Sequence, residues 1–192
     1  MSKELTEITL WGKWSFKGIE VKDQGLQRYI SLHPVYLPHS MGRHEHKRFH
    51  KAEVNIVERL ANNLMQPGKN AAKKTRTLNV LKNAFEIIQL NTGKNPIEIL
   101  IKAVENAAPC EDTTRLSYGG IVYLMAVDIS PQRRVDMALR LICEGARKNA
   151  FSNAKPLEEC LAEELTLAAN QDVKSHAVSK RYEMERVALA NR

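Results

Sequence analysis

Long apolar runs are missing from this chain. No stretch approaches the roughly 18–20 consecutive apolar residues that a membrane-spanning helix needs, the first residues hold no apolar signal core, and no terminal lipidation motif is present. The expectation is a soluble, intracellular protein with no membrane partner. Cysteine is scarce too. Cys110, Cys143 and Cys160 are far apart, odd in number and without C-x-x-C spacing. Neither a disulfide framework nor a cysteine zinc site is suggested, and reduced, mostly buried thiols are expected. Catalytic signatures are also lacking: there is no G-x-S-x-G, H-E-x-x-H, G-x-G-x-x-G or Walker loop. The Glu158-Glu159 and Glu163-Glu164 pairs sit on a helix whose other face is apolar, which reads as ordinary solvated carboxylates. The chain is therefore read as no enzyme, with no cofactor and no metal.

Acidic residues are the minority charge. Lys and Arg number 29 against 22 Asp and Glu, a net charge of +7, and such a balance favours polyanionic partners. With 192 residues, 43% of them hydrophobic, the chain is long enough for one substantial core with an appended arm.

The fold class read from the pattern is mainly α: a bundle of about six helices with one protruding β-hairpin and an extended N-terminal arm. The arm, residues 1–50, crowds Trp11, Trp14, Phe16, Tyr29 and Tyr36 around Pro34 and Pro38 with no lasting helical period. With few periodic apolar anchors and many cations, it is expected to be mobile until a partner orders it. From Ala52, apolar residues recur at helical spacing through Val57, Leu60 and Leu64, ending at Pro67-Gly68. A second helix is predicted from about Ala71 to Leu90, stopped by Gly93, and Asn95-Pro96 opens a third that runs from Ile97 to Ala107. Two more are predicted over Pro156–Ala169 and about Val173–Ala190. Between Cys110 and Ile129, β-branched and aromatic residues flank Gly119-Gly120, a hairpin signal. An isolated hairpin is marginal in water, so a projecting one is expected to have a partner.

The remaining helix carries the strongest charge pattern. Ser130 is placed to cap it with its side chain, and Pro131 fits the first helical position. At about 100° per residue, Val135, Leu139, Ile142 and Ala146 share one side. Arg133, Arg140 and Arg147 line the opposite side, with Arg134 and Lys148 nearby. A solvated face mixes Glu and Lys at i,i+4, but this one has only Asp136 and Glu144 among five cations, mostly arginines whose planar fork suits phosphate oxygens.

Two further basic stretches join it. In "HSMGRHEHKRFHK", His39 to Lys51, the spacing His44-x-His46-x3-His50 admits metal ligation, but no second ligand cluster accompanies it and Lys47 and Arg48 oppose a dication. With Phe49 and Tyr36 the segment instead suits phosphate contact and stacking on an unpaired base, or is a solvated tail. "PGKNAAKKTR", Pro67 to Arg76, gathers Lys69, Lys73, Lys74 and Arg76 at a helix junction with no acid, which is either an anion site or an ordinary turn.

The run Glu105–Lys148, "ENAAPCEDTTRLSYGGIVYLMAVDISPQRRVDMALRLICEGARK", together with "IVERLANNLMQPGKNAAKKT" upstream, resembles the signature of the small-subunit ribosomal protein family that is seventh in the bacterial naming series. The arm is similar to the longer archaeal and eukaryotic form, so the resemblance covers nearly the whole chain. It implies a non-catalytic ribosomal component of the cytoplasm, monomeric within the ribosome. Such a component binds the 3′ major domain of small-subunit rRNA, nucleates assembly of the subunit head, and meets neighbouring small-subunit proteins, exit-site tRNA and mRNA. By resemblance, residues 51–192 form the rRNA-binding domain, with the hairpin near 110–129. Arg43, Lys47, Arg48 and Lys51 of the arm, Lys69, Lys73, Lys74 and Arg76 of the loop, and Arg133, Arg134, Arg140, Arg147 and Lys148 would meet rRNA. The hairpin residues Arg115, Tyr118, Gly119, Gly120 and Tyr123 would lie near tRNA and mRNA. Family hairpins carry several cations, whereas Arg115 is the only one between Cys110 and Ile129, which leaves the tyrosines to stack. The alternative is a free-standing RNA- or DNA-binding regulator that lays its arginine-striped helix in a groove. It would concentrate cations on one helix instead of dispersing them.

Overall fold

A computed structural model describes residues 8–192, except Arg43, Lys69 and the side chain of Glu45. Among these residues the chain forms α1 (Gln24–Gln27), α2 (Ile56–Leu64), α3 (Lys74–Thr92), α4 (Pro96–Ala107), β1 (Glu111–Tyr118), β2 (Ile121–Asp128), α5 (Pro131–Ala150), α6 (Leu157–Ala169) and α7 (His176–Ala190). Six of the helices exceed one turn, in keeping with a mainly α bundle bearing one hairpin. Among the described residues, no helix is long and apolar enough to cross a membrane.

Local chemistry sets most boundaries. Asn55 and Asn95 accept the N–H groups of Val57 and Ile97 at 2.9 and 3.1 Å, capping α2 and α4. Gly93 ends α3 at φ +65°, its N–H donating to the Gln89 carbonyl at 2.8 Å. Some details of the helix ends depart from the sequence reading, and α7 begins at His176 rather than near Val173. Helix α3 begins at Lys74, not near Ala71, because Ala72 adopts φ +57° and cannot continue a right-handed helix. Ser130 occupies the N-cap of α5 with extended backbone, but its side chain makes no capping hydrogen bond.

The core is built around α6, which packs on α3, α4 and α5. Phe85, Leu100, Leu139, Ile142, Leu161 and Leu165 are fully buried, each worth about 1.5–3 kcal/mol relative to exposure. One side chain corrects the sequence reading. Glu164 is not solvated but buried: its Oε1 accepts from the Ser175 hydroxyl at 2.7 Å and from the Ala177 N–H at 3.0 Å, so this carboxylate satisfies the start of α7. Cys110 is exposed, while Cys143 and Cys160 are buried, and all three are free thiols. Burial raises the pKa of the Cys143 and Cys160 thiols, keeping both protonated.

The N-terminal segment is anchored more firmly than its lack of period suggested. Leu10, Trp14, Phe16, Leu26 and Ile30 belong to the core. Trp11, Trp14 and Phe85 meet edge to face with centroids 5.7–6.0 Å apart. Trp14 Nε1 donates to Gln89 Oε1 at 2.7 Å, and Asn95 holds the Ser15 carbonyl at 2.8 Å. Limited proteolysis of the free protein is therefore expected to spare residues 8–30 and to cut first within 39–51, where most side chains are exposed. Early cleavage near Trp14 would show that these anchors do not hold.

Candidate nucleic-acid interface

Helix α5 separates its two faces cleanly. Val135, Leu139, Ile142 and Ala146 are fully buried, while Arg133, Arg140, Arg147 and Lys148 are exposed on the other side. Arg133 lies 4.0 Å from Asp112 with its side chain two-thirds exposed. Arg147 is steadied against the loop after α2, its Nη1 donating to Gln66 Oε1 at 2.6 Å and its Nη2 to the Pro67 carbonyl at 3.5 Å. Lys148 pairs with Glu144 at 2.9 Å. A groove of about 740 Å³ opens between that loop and α5, lined by Asn62, Gln66, Arg140, Glu144, Arg147 and Phe151 among others.

Arg134 corrects the sequence reading of an open cation. Only 14% of its side chain is exposed. Its Nη2 pairs with Asp23 at 3.0 Å and its Nε donates to the Pro109 carbonyl at 3.1 Å, tying the N-terminal segment to the base of the hairpin. Lys74 is likewise engaged: its Nζ lies 2.5 Å from the buried Glu58, which also accepts from the Ser40 N–H and hydroxyl at 3.0 Å. Burial alone would raise the Glu58 pKa, but the hydrogen bonds from Lys74 and Ser40 and the lysine charge hold it below the ordinary carboxylate value. A carboxyl depressed in the folded state stabilises above its unfolded pKa, and that contribution is lost as pH falls through the folded value. Glu58→Gln is thus expected to lose about 1–3 kcal/mol at neutral pH and to flatten the loss of stability on acidification, read from thermal unfolding between neutral and acid pH. An unchanged acid limb would show that Glu58 is no part of it.

Lys73 and Arg76 are exposed at the start of α3. That helix has no side-chain N-cap and no acid in its first turn, leaving backbone N–H groups open toward anions. Lys69 and Arg43 lie outside the described residues. In the arm, Lys47 and Arg48 are exposed, and Arg48 stacks over Phe49 at 4.9 Å. Lys51 pairs with Asp136, which also holds Arg59 at 2.8 Å, linking the arm to α5. A second groove, about 960 Å³, brings Arg28 and His33 beside Lys47, Arg48, Phe49 and His50. The rings of His44 and His50 lie 5.2 Å apart, tilted by 40°. The described His, Cys, Asp and Glu side chains form no group of three or more suited to a metal ion.

The hairpin tip is a two-residue turn with Gly119 at φ +59° and Gly120 at +83°, a left-handed pair that side-chain-bearing residues adopt with strain. The register pairs Tyr118 with Ile121, Leu116 with Tyr123 and Thr114 with Met125, putting Leu116, Tyr118, Ile121, Tyr123 and Met125 on one face. All five are exposed, Tyr118 by 84%. Arg115 pairs with Leu124 on the opposite face.

Sequence reasoning missed Arg28, His33, Asn62, Gln66 and Phe151. Phe151 left one signal, an aromatic placed directly after a helix and outside its apolar period. The others reach their grooves from elements distant in sequence.

A rigid helical body that spreads exposed cations over an arm, a helix start and a second helix, with an uncovered apolar hairpin, is of the class that docks on a large folded polyanion. A family model described as ribosomal protein S7p/S5e matches residues 26–192. The chain is 51% identical over 197 residues to small ribosomal subunit protein uS7 of Cenarchaeum symbiosum (strain A), covering 98% of this chain and 99% of that one. It is 50% identical over 179 residues to the protein of the same name from Methanothermobacter thermautotrophicus, covering 93% and 96% of the two chains. The chain belongs to the S7p/S5e ribosomal protein family.

Proposed function

We propose that this protein is a non-catalytic structural constituent of the small ribosomal subunit in the cytoplasm, and that it binds the 3′ major domain of the rRNA and nucleates the subunit head. Its neighbours there are other small-subunit proteins, with exit-site tRNA and mRNA beside the hairpin. The observation that carries the rRNA reading is α5: Arg133, Arg140 and Arg147 exposed in one row behind a fully buried apolar row. The cations of the arm and of the α3 start extend the same charge beyond any single groove, which supports wrapping by folded RNA over a groove-reading regulator. Sedimentation of a cell lysate tests the reading: the protein should travel with small subunits, and its appearance only in ribosome-free fractions would refute it.

Binding and hairpin are separate functions in this reading. Because Arg115 is the only cation in the hairpin, shortening Ser117–Val122 should leave rRNA affinity nearly unchanged while lowering retention of deacylated tRNA by assembled subunits. Base stacking there is worth on the order of 1–3 kcal/mol. A shortened protein that folds but no longer binds rRNA would place the hairpin in the primary binding surface.

A further inference from the structure

We propose that the groove between the loop after α2 and the C-terminal half of α5 receives a single unstacked guanine of the rRNA, stacked on Phe151 and read along its donor edge by Glu144. This rests on the rRNA reading above and names the chemistry of one of its contacts.

Three features of the groove point past simple phosphate binding. Phe151 follows the last turn of α5 and is 80% exposed, and no aromatic or cationic partner covers it among the described residues. A bare aromatic face beside cations is the platform on which an unpaired base stacks. Glu144 stands in the same wall, between Arg140 and Lys148 at i,i+4 spacing. A carboxylate repels phosphate, so a surface that met only backbone would be better without it. The hydrogen bond from Lys148 holds this carboxyl below its ordinary pKa, so it is ionised and purely an acceptor at neutral pH. Lys148 uses one of its roughly four lone-pair sites, leaving acceptor capacity for the N1–H and N2–H₂ donors of guanine, the only standard base to offer two adjacent donors on that edge. Asn62 adds an exposed amide to the opposite wall. Arg147, fixed by Gln66 and Pro67, and Arg140 remain for the flanking phosphates. At about 740 Å³ the space is in the range of single-ligand sites.

The test uses the full chain, an rRNA fragment of the head domain, and a reagent that modifies N1 and N2 of unpaired guanines. Wild type should shield one unpaired guanine. Glu144→Gln should re-expose that guanine alone, weaken binding roughly 10- to 100-fold, and leave the salt dependence unchanged. Phe151→Ala should weaken binding roughly 5- to 150-fold, with Phe151→Leu, which keeps bulk without a π face, close to it. Circular dichroism checks that each variant is folded. A phosphate-only surface gives the opposite sign: removing the Glu144 charge would then tighten binding, and that result, or unchanged shielding of every guanine, overturns the proposal while leaving rRNA binding intact. Failure of wild type to bind the fragment would instead refute the broader reading, and this proposal with it.

Discussion

Replacing Arg133, Arg140 and Arg147 together by glutamine is expected to weaken rRNA binding by about 100- to 1,000-fold near 0.1 M salt while leaving the protein folded. Each phosphate contact releases condensed counterions and contributes roughly 0.7–0.9 to the slope of log K against log salt, hence about a factor of ten at that concentration. Three lost contacts should lower the slope by about 2–3. The fold should tolerate the change, because all three residues are exposed opposite a fully buried row, and such surface substitutions stay within about 0.5 kcal/mol. Arg147 alone among them makes hydrogen bonds to the neighbouring loop, so single substitutions should rank it as the most costly to stability. Filter binding over a salt series, paired with thermal unfolding, reads both quantities. Unchanged affinity would return the arginine row to an ordinary solvated face.

The row was legible in the sequence because it depends only on helical geometry: once Ser130-Pro131 fixed the start, the two faces of α5 followed from spacing. The same holds for α4 behind Asn95-Pro96 and for the hairpin around Gly119-Gly120. What spacing could not give was pairing across the chain. Arg134 reads as one more stripe cation until Asp23, 111 residues earlier, is brought beside it. Lys74 reads as a loop lysine until Glu58 occupies it. The arm looked unanchored because Leu10, Trp14 and Phe16 follow no period, and the Phe85 and Gln89 that meet Trp14 lie on α3, some seventy residues on. Glu164 was misread for a related reason. Its helix is amphipathic by pattern, but the N–H groups that justify burying a carboxylate belong to the start of α7.

That buried carboxylate sets the second large effect: Gly145→Ala is expected to destabilise the protein by about 1–3 kcal/mol. In an exposed helix the same change would stabilise by about 1 kcal/mol, since glycine is the poorer helix former. Here a Cβ built on Gly145 would lie 2.8 Å from the His176 Cβ and 2.9 Å from Cδ and Oε1 of Glu164. Neither neighbour yields cheaply. His176 Cβ is fixed by the first turn of α7, and Glu164 is clamped by the Ser175 hydroxyl and the Ala177 N–H. Relief would require parting α5 from α6 and α7 at about 1–3 kcal/mol for the overpacking, or breaking buried hydrogen bonds to a charged acceptor, each about 1.5–3 kcal/mol. For a chain of this size the melting temperature should fall by about 2–12 °C. Because Gly145 faces inward from the arginine row, the fraction that remains folded should bind rRNA with the wild-type salt slope, the reverse of the triple arginine variant. A melting temperature at or above wild type would show that the three helices can separate freely there. A changed salt slope in the folded fraction would show that the inner face of α5 governs how its arginines are presented.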